Sequence, residues 1–167
     1  MNIAKIEKNS IANGPGIRVV LWCQGCSLHC EGCHNESTWD PNGGREFTHQ
    51  DTLDIIEELK KPWVQGLTLS GGHPLEDYNL QGCIDLASQV RYECPNKDIW
   101  LYTGFILSAE DFYKPNKVGH LLRLCDVVVD GPYLEHLRDI RLPYCGSSNQ
   151  RVIDVLQTHV QNKIVTL

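Results

Sequence analysis

Short apolar runs alternate with amphipathic segments along most of this chain. Four runs rich in β-branched and apolar residues predict strands at residues 17–22, 66–70, 98–102 and 126–130. Apolar residues at helical spacing predict helices at residues 48–61, 80–92 and 118–124. Thr48 is a candidate cap for the first helix and Pro62 ends it. The pattern is weak after about Leu134, where residues 152–167 suggest a helix followed by a strand.

Strands that alternate with helices predict a parallel sheet joined by right-handed crossovers. Continuous apolar strands are typical of a sheet covered on both faces, so we expect cover on both. The loops at the carboxyl ends of such strands share one rim, here residues 26–33, 70–74, 103–104 and 130–131. A complete eightfold barrel takes about 250 residues. The 167 residues therefore predict a single α/β domain over residues 1–167, a partial β/α barrel with a mostly parallel sheet.

Composition and charge narrow the possible functions. Hydrophobic residues make up 41% and charged residues 22%, as expected of a soluble globular protein. The net charge of −6 argues against nucleic acid as the main partner, because such binding needs a basic face. Residues 1–10 lack the apolar core of a signal peptide, and no run approaches the roughly 18 apolar residues of a membrane span. We expect a cytoplasmic protein.

Eight cysteines are many for a chain without a secretory signal. In a reducing cytosol, clustered cysteines are more often metal ligands or catalytic groups than disulfides. Cys83, Cys94, Cys125 and Cys145 are scattered singly and are interpreted as small buried hydrophobic residues. Cys145 fits least well, because its surroundings are polar and contain glycine.

The remaining cysteines form a compact motif directly after the first predicted strand. Cys26, Cys30 and Cys33 have the spacing C-x3-C-x2-C. A [4Fe–4S] cluster is usually held by four cysteine thiolates. Three thiolates would leave one iron with an open coordination position, and an open position is where a reactant can bind, as in catalytic zinc sites. The motif therefore indicates chemistry at a metal cluster.

Cys23 leaves two other interpretations open. With Cys26 it forms one C-x2-C pair, and Cys30 with Cys33 forms a second. Four thiolates could bind one zinc ion in a closed structural site, although common zinc modules separate their pairs by about 12–20 residues. A redox-active C-x-x-C pair is the other alternative. We interpret Cys23 as the end of the strand and not as a ligand.

Several turns are candidates for ligand contact. Gly71 and Gly72 follow the second predicted strand and would let the backbone approach a ligand with bare N–H and C=O groups. Residues 13–16 form a turn by default, whereas the hydroxyl and amide side chains of residues 146–150 suggest a ligand or partner loop. His29, His34 and His73 flank these segments, and none is assigned as a metal ligand.

These motifs together resemble the radical S-adenosylmethionine superfamily. The resemblance rests on C-x3-C-x2-C after the first strand and Gly-Gly after the second. The Asn-Gly-Pro-Gly run at 13–16 is similar to activating enzymes of glycyl-radical enzymes. Residues 33–39, 94–104, 129–131 and 146–150 are similar to the activating proteins of anaerobic (class III) ribonucleoside-triphosphate reductases. The resemblance covers about residues 11–150.

The resemblance implies a specific reaction. Cys26, Cys30 and Cys33 would hold a [4Fe–4S] cluster whose open iron is chelated by the methionine end of S-adenosyl-L-methionine. An electron from flavodoxin or a similar donor would cleave the sulfonium–C5′ bond, and the 5′-deoxyadenosyl radical would take hydrogen from a glycine of the reductase catalytic subunit. No protein acid, base or nucleophile is required, because the cofactors carry the chemistry.

The resemblance also assigns the cofactor pocket. Gly32, Cys33 and His34 would line it, and Gly71 and Gly72 would contact the methionine end of the cofactor. The sequence departs from the superfamily at two positions. His73 stands where an acidic residue usually follows Gly-Gly, and Gly32 stands where an aromatic residue often precedes the last cysteine.

Other functions remain possible at the level of sequence. An activase for another glycyl-radical enzyme and a small-molecule radical enzyme are alternatives within the superfamily. A zinc-binding interaction module using Cys23, Cys26, Cys30 and Cys33 is the alternative of another class.

Overall fold

A seven-stranded sheet forms the centre of the protein. The computed structural model covers residues 1–167. The strands are β1 (Asn2–Ser10), β2 (Ile17–Cys23), β3 (Arg45–Glu46), β4 (Val64–Gly71), β5 (Asp98–Tyr102), β6 (Val127–Asp130) and β7 (Arg151–Asp154). The helices are α1 (His49–Leu59), α2 (Asp77–Glu93), α3 (Lys117–Leu124) and α4 (Val155–Gln161). Short 3₁₀ turns lie at Glu36–Thr38, Ala109–Phe112 and Glu135–Leu137.

The sheet is parallel at its centre and antiparallel at its edges. Its spatial order is β3-β1-β2-β4-β5-β6-β7. The pairs β2–β4, β4–β5 and β5–β6 are parallel, and these are the four strands that the sequence predicts. β1 pairs antiparallel with β2 and with β3, and β7 pairs antiparallel with β6. The α/β class is confirmed, but the sheet is mixed and not mostly parallel.

The sequence pattern does not reveal β1. Its alternation is interrupted by a register shift between Glu7 and Ser10, and Lys5 and Lys8 are exposed. Antiparallel strands can be joined by a short turn, whereas parallel strands need a crossover of a dozen or more residues. The few residues that separate β1 from β2 therefore bring the chain back antiparallel, without a helix between the two strands.

All four helices contribute to one core on one face of the sheet. Alternate strand residues such as Leu21, Leu69 and Leu101 are fully buried there, against helix residues that include Leu86 and Leu121. The opposite face carries a smaller cluster of Trp100, Val127 and Val129, to which no helix contributes. Consecutive residues of the central strands are buried, so both faces are covered as expected, although every crossover packs its helix on the same side.

The helix ends follow the local sequence. Thr48 caps α1 in a capping box with Asp51, as predicted from its position. Arg45 on β3 donates two hydrogen bonds to the Asp51 carboxylate, at 2.6 and 2.7 Å. These bonds are the largest cause that holds the pKa of Asp51 far below its ordinary value. The short edge strand β3 is thereby tied to α1.

The C-terminal segment differs from its prediction in order. β7 comes first and pairs with β6, and α4 follows it with Asp154 as its cap. A single bridge between Ile153 and Thr166 is the only strand-like pairing after the helix. No helix in the structure combines the length and the apolar character that a membrane crossing requires.

Candidate functional site

The loops that follow the parallel strands meet at one rim, as predicted. The N–H of Gly72 donates to the Cys23 carbonyl at 2.8 Å, and the N–H of His73 donates to the Gly25 carbonyl at 2.8 Å. Gly104, after β5, lies so close to the Leu28 side chain that an added Cβ would be 2.2 Å from it. The cysteine loop therefore packs on the loops after both β4 and β5.

The three motif cysteines lie free and partly exposed in this loop. The N–H of Cys33 donates to the Cys30 carbonyl at 3.1 Å, and the N–H of Asn35 donates to the Cys33 sulfur at 3.4 Å. Burial raises the pKa of the Cys26 thiol, although the N–H groups of Leu28 and His29 oppose that shift. Hydrogen bonds to cluster sulfurs help to set the potential of iron–sulfur sites, so these donors suit thiolates that ligate a cluster.

No three His, Cys, Asp or Glu side chains are grouped so that they could hold one metal ion. A four-thiolate zinc site requires such convergence, with zinc–sulfur distances of about 2.3 Å. A cubic cluster needs less convergence, because each thiolate binds a different iron. A site for a single ion is therefore not preformed by Cys26, Cys30 and Cys33.

Cys23 does not share the environment of the motif. It is the last residue of β2, its side chain is fully buried, and its sulfur lies 3.7 Å from the sulfur of Cys83 on α2. It therefore belongs to the core, as the sequence suggests. Cys94 and Cys125 are buried too, whereas Cys145 is only half-buried.

Neighbouring backbone atoms leave no room for a side chain at Gly71 or Gly72. Gly71 has φ +98°, and a Cβ on it would be 2.6 Å from the Cys23 nitrogen. A Cβ on Gly72 would be 2.4 Å from the Gly25 carbonyl oxygen. The expectation of a bare N–H group is wrong for Gly72, because its amide already donates to the Cys23 carbonyl, and the His73 amide is likewise bound to the Gly25 carbonyl.

Gly32 leaves room for a neighbouring acidic side chain. It has φ +71°, and a Cβ on it would meet the Glu135 carboxylate at 2.3 Å. Glu135 also accepts a hydrogen bond from the Tyr133 hydroxyl. The Tyr133 ring meets His34 edge to face, with 5.5 Å between ring centroids. An aromatic ring from the segment after β6 thus lies beside the last cysteine.

A cleft of about 480 Å³ opens on the sheet face opposite the core. Side chains from three neighbouring strands form part of its wall, Trp22, Ser70 and Tyr102. Cys33 and His34 line it beside the cysteine loop, and Asn13, Gly146 and Gln150 line it from the covering segments. The structure therefore places one motif cysteine in the wall of a cavity. Cys26 and Cys30 do not line this cleft.

A larger groove of about 660 Å³ lies elsewhere, between α2, α3 and β7. Arg91, Arg123 and Asp126 line it, and none of the predicted site residues does. Its arginines are held by the protein itself, since Arg91 pairs with Asp126 at 2.7 Å and Arg123 donates to the Phe112 carbonyl at 2.9 Å. We therefore place the candidate site in the cleft beside Cys33.

The turn at residues 13–16 closes the other end of this face over a buried charge. Arg18 is fully buried, donates to Thr68 Oγ1 at 2.7 Å and to the Leu67 carbonyl at 2.8 Å, and pairs with Asp98 at 2.5 Å. A Cβ on Gly14 would be 2.9 Å from the Arg18 side chain. This turn is therefore built to cover Arg18, which sequence reasoning did not identify.

Sequence reasoning also missed a polar chain across the rim. Glu76 Oε1 accepts from the N–H of Ser27 at 3.0 Å and from its hydroxyl at 2.6 Å. The buried His73 lies on the other side of Glu76, and its Nε2 is 2.7 Å from Thr103 Oγ1. Ser27 and Thr103 lie 49 and 30 residues from their partners in sequence, so no local pattern could indicate the chain.

Hydrogen bonds of the Gln150 side-chain amide hold the Gly146–Gln150 stretch in place. Gln150 Oε1 accepts from the N–H of Gly146 at 2.8 Å and of Ser147 at 3.2 Å, and its Nε2 donates to the Gly131 carbonyl at 3.0 Å. Asp130, just before Gly131, is buried and paired with Arg151. This stretch is thus fixed over the end of β6, where it borders the cleft.

Known proteins are similar to this chain over most of its length. Residues 12–153 match the family model described as a 4Fe-4S single cluster domain. The anaerobic ribonucleoside-triphosphate reductase-activating protein of enterobacteria phage T4 is 41% identical over 152 residues, covering 91% of this chain and 93% of that protein. The proteins of the same name from Vibrio cholerae and Escherichia coli K12 are 39% and 40% identical, covering 90% and 91% of this chain and 96% and 97% of their own lengths.

The chain belongs to the family of anaerobic ribonucleoside-triphosphate reductase-activating proteins. The family resemblance predicted from the sequence motifs is confirmed. The part that matches the 4Fe–4S family contains Cys26, Cys30 and Cys33, the Gly71–Gly72 turn and Gln150. The activating-protein family thus spans both the cysteine loop and the segments that form the cleft.

Proposed function

We propose that this protein activates an anaerobic ribonucleoside-triphosphate reductase by generating a glycyl radical on its catalytic subunit. The observation that carries the proposal is the position of Cys33, in a C-x3-C-x2-C loop and in the wall of the cleft. A reactive species formed at that wall would be released into the cleft and not into bulk water. The names of the relatives support the choice of partner.

Cys26, Cys30 and Cys33 would hold a [4Fe–4S] cluster with one open iron. When bound, the cluster supplies the electron that cleaves S-adenosyl-L-methionine to methionine and a 5′-deoxyadenosyl radical, which takes a hydrogen atom from glycine. The protein positions the reactants and excludes water, and we assign no acid or base. The N–H donors near Cys26 and Cys33 would stabilise the thiolates.

Residues on both sides of the rim would bind S-adenosyl-L-methionine. Gly32, Cys33 and His34 would line its pocket, and Gly71 and Gly72 would contact its methionine end. Because the amides of Gly72 and His73 are already used, we propose that the carbonyl groups of this turn accept from the ammonium group. The exposed His34 ring beside Tyr133 would offer an aromatic surface near the last cysteine.

The arrangement of helices supports a partial barrel over residues 1–167. Helices on one face and a cleft on the other correspond to the outside and inside of a β/α barrel. The partner would reach the cleft through its open side. We expect flavodoxin or a similar protein in the cytoplasm as electron donor, because the reaction consumes one electron per cofactor cleaved.

An anaerobic reaction tests the proposal. The reconstituted chain is mixed with reductant, S-adenosyl-L-methionine and the candidate reductase, and 5′-deoxyadenosine and the glycyl radical are measured by chromatography and electron paramagnetic resonance. We expect both products with the native chain and with Cys94→Ala, a buried cysteine outside the loop, but neither with Cys33→Ala.

Each contrary result identifies a different error. Cofactor cleavage without a glycyl radical would reject this partner and favour an activase of another enzyme or a small-molecule radical enzyme. A colourless protein that contains zinc would reject the cluster and favour the interaction module.

A further inference from the structure

One carboxylate joins the cysteine loop to the Gly-Gly turn. Glu76 is the N-cap residue of α2, and its side chain does not cap that helix. Its Oε1 accepts both the N–H and the hydroxyl of Ser27, the residue after Cys26. Burial would raise the pKa of Glu76, but the Ser27 hydrogen bonds and the neighbouring His73 lower it overall. The side chain is thus held as a carboxylate.

His73 fixes the other side of this carboxylate. Its side chain is only 1% exposed, and its Nδ1 lies 3.5 Å from Glu76 Oε1 without forming a hydrogen bond to any residue. Thr103 Oγ1 already accepts from the Phe105 N–H at 3.1 Å, and its own proton can be donated to His73 Nε2 at 2.7 Å. The Nδ1 side of the ring is then the side that faces the Glu76 carboxylate.

The ring has little freedom to move. Phe105 meets it edge to face with 4.3 Å between ring centroids. His73 is also bound through its main chain, because its N–H donates to the Gly25 carbonyl and its carbonyl accepts from Asn79 Nδ2 at 3.1 Å. The polar chain Thr103–His73–Glu76–Ser27 therefore runs from a buried, rigid end to the exposed cysteine loop.

We infer that Glu76 is a positioning residue, which sets the place of Cys26 relative to the Gly71–Gly72 turn. This inference rests on the proposed function, in which a cluster on the first segment and a cofactor on the second must meet in one geometry. Glu76 contacts Ser27 and His73 and none of the proposed ligands. Misplacement of reacting groups by about 1 Å can lower a rate about 100-fold.

Two substitutions separate positioning from folding. Glu76→Ala removes every acceptor of the Ser27 bonds, whereas Glu76→Gln keeps one oxygen that can accept from Ser27. Asp85→Asn is the matched control, because Asp85 is a carboxylate on the same helix that accepts only from the exposed Gln81. We expect Glu76→Ala to lower the kcat of S-adenosyl-L-methionine cleavage about 10- to 100-fold. Iron content and KM should stay within about twofold of the native chain, and Glu76→Gln should recover most of the rate.

A measurement on the cluster-free chain tests the loop directly. Cys26 and Cys33 are alkylated with iodoacetamide under anaerobic conditions, and their rates are followed by mass spectrometry. Glu76→Ala should speed the alkylation of Cys26 several-fold and leave that of Cys33 nearly unchanged, with no change in Asp85→Asn. Because the Glu76 charge also raises the pKa of Cys26, Glu76→Gln is the reference for loss of charge, and Glu76→Ala must exceed it. This readout needs no cofactor, so it can succeed even if the native chain cleaves no S-adenosyl-L-methionine.

The two possible failures are therefore distinguishable. A native chain that binds no cluster would reject the proposed function. Unchanged alkylation and unchanged kcat in Glu76→Ala would overturn the positioning role, and so would a fall in iron content in parallel with kcat, which indicates general loss of the fold.

Discussion

The sulfur of Cys23 lies 3.7 Å from the sulfur of Cys83, between the end of β2 and α2. Both side chains are fully buried, and the Cys23 contact and burial raise the pKa of Cys83 far above its ordinary value. Cys23 packs in the hydrophobic core, whereas Cys26, Cys30 and Cys33 lie partly exposed in the loop. Cys23 therefore serves the core that supports the cysteine loop.

This position predicts which cysteines the cluster needs. Cys26→Ala, Cys30→Ala and Cys33→Ala should each abolish cluster binding, whereas Cys23→Ala should retain it at a cost of about 1 kcal/mol in the free energy of unfolding. Iron and sulfide content after anaerobic reconstitution measures the first effect and urea denaturation the second. A Cys23→Ala chain that folds but takes up no iron would contradict the assignment.

The Gly-Gly turn predicts a contrast between two glycines. Gly72→Ala would place its Cβ 2.4 Å from the Gly25 carbonyl, so backbone must move and we expect a loss of about 2–3 kcal/mol in unfolding free energy. Gly104→Ala meets only the end of the Leu28 side chain, which can rotate, so its cost should be smaller. Equal urea midpoints for the two variants would be incompatible with this packing.

The buried guanidinium of Arg18 predicts a large loss on its removal. Arg18→Met would remove the Arg18 donor from Thr68 Oγ1 and the Leu67 carbonyl and leave Asp98 with Gln65 alone, at a cost of about 3–5 kcal/mol. Arg141→Ala removes an exposed pair with Asp139 and should change stability by less than about 1 kcal/mol. Chemical denaturation of both variants measures the two losses in unfolding free energy. A loss below about 1 kcal/mol in Arg18→Met would contradict the importance of the Arg18 bonds.

His73 predicts a dependence of stability on pH. Burial lowers the pKa of His73 below its ordinary value of 6.5, although Glu76 acts in the opposite direction. The unfolded chain then binds the proton more readily than the folded chain, so His73 should reduce stability as the pH falls below about 6.5. His73→Gln lacks this titration, and its stability should fall less between about pH 7 and pH 5. Parallel pH profiles of the two proteins would contradict the shift.

Sequence pattern predicted the parts of the fold whose signals are local. The apolar runs give β2, β4, β5 and β6, and Thr48 with Pro62 brackets α1. β1 escaped prediction because a register shift and exposed lysines mask its alternation, and β3 has only two residues. The handedness of the crossovers decides on which side of the sheet the helices pack. The apolar runs contain no information about that handedness.

The candidate site also has one part that the sequence predicts and one part that it does not. Spacing alone singled out Cys26, Cys30 and Cys33, and strand order brought their loop to Gly71 and Gly72. The use of the Gly72 amide and the chain through Glu76 depend on contacts between residues about 50 positions apart. Such contacts exist only once the sheet has formed, so they had no signature in the linear pattern.

The turn over Arg18 closes one end of the cleft. Asn13 borders the cleft, and its carbonyl accepts from Thr68 Oγ1 at 2.8 Å near the middle of β4. Gly14 seals the space above Arg18 and the buried Trp100. Under the proposed function, a polypeptide that enters the cleft could not pass beyond this turn. Its target glycine would therefore have to approach from the side of the cleft away from Arg18.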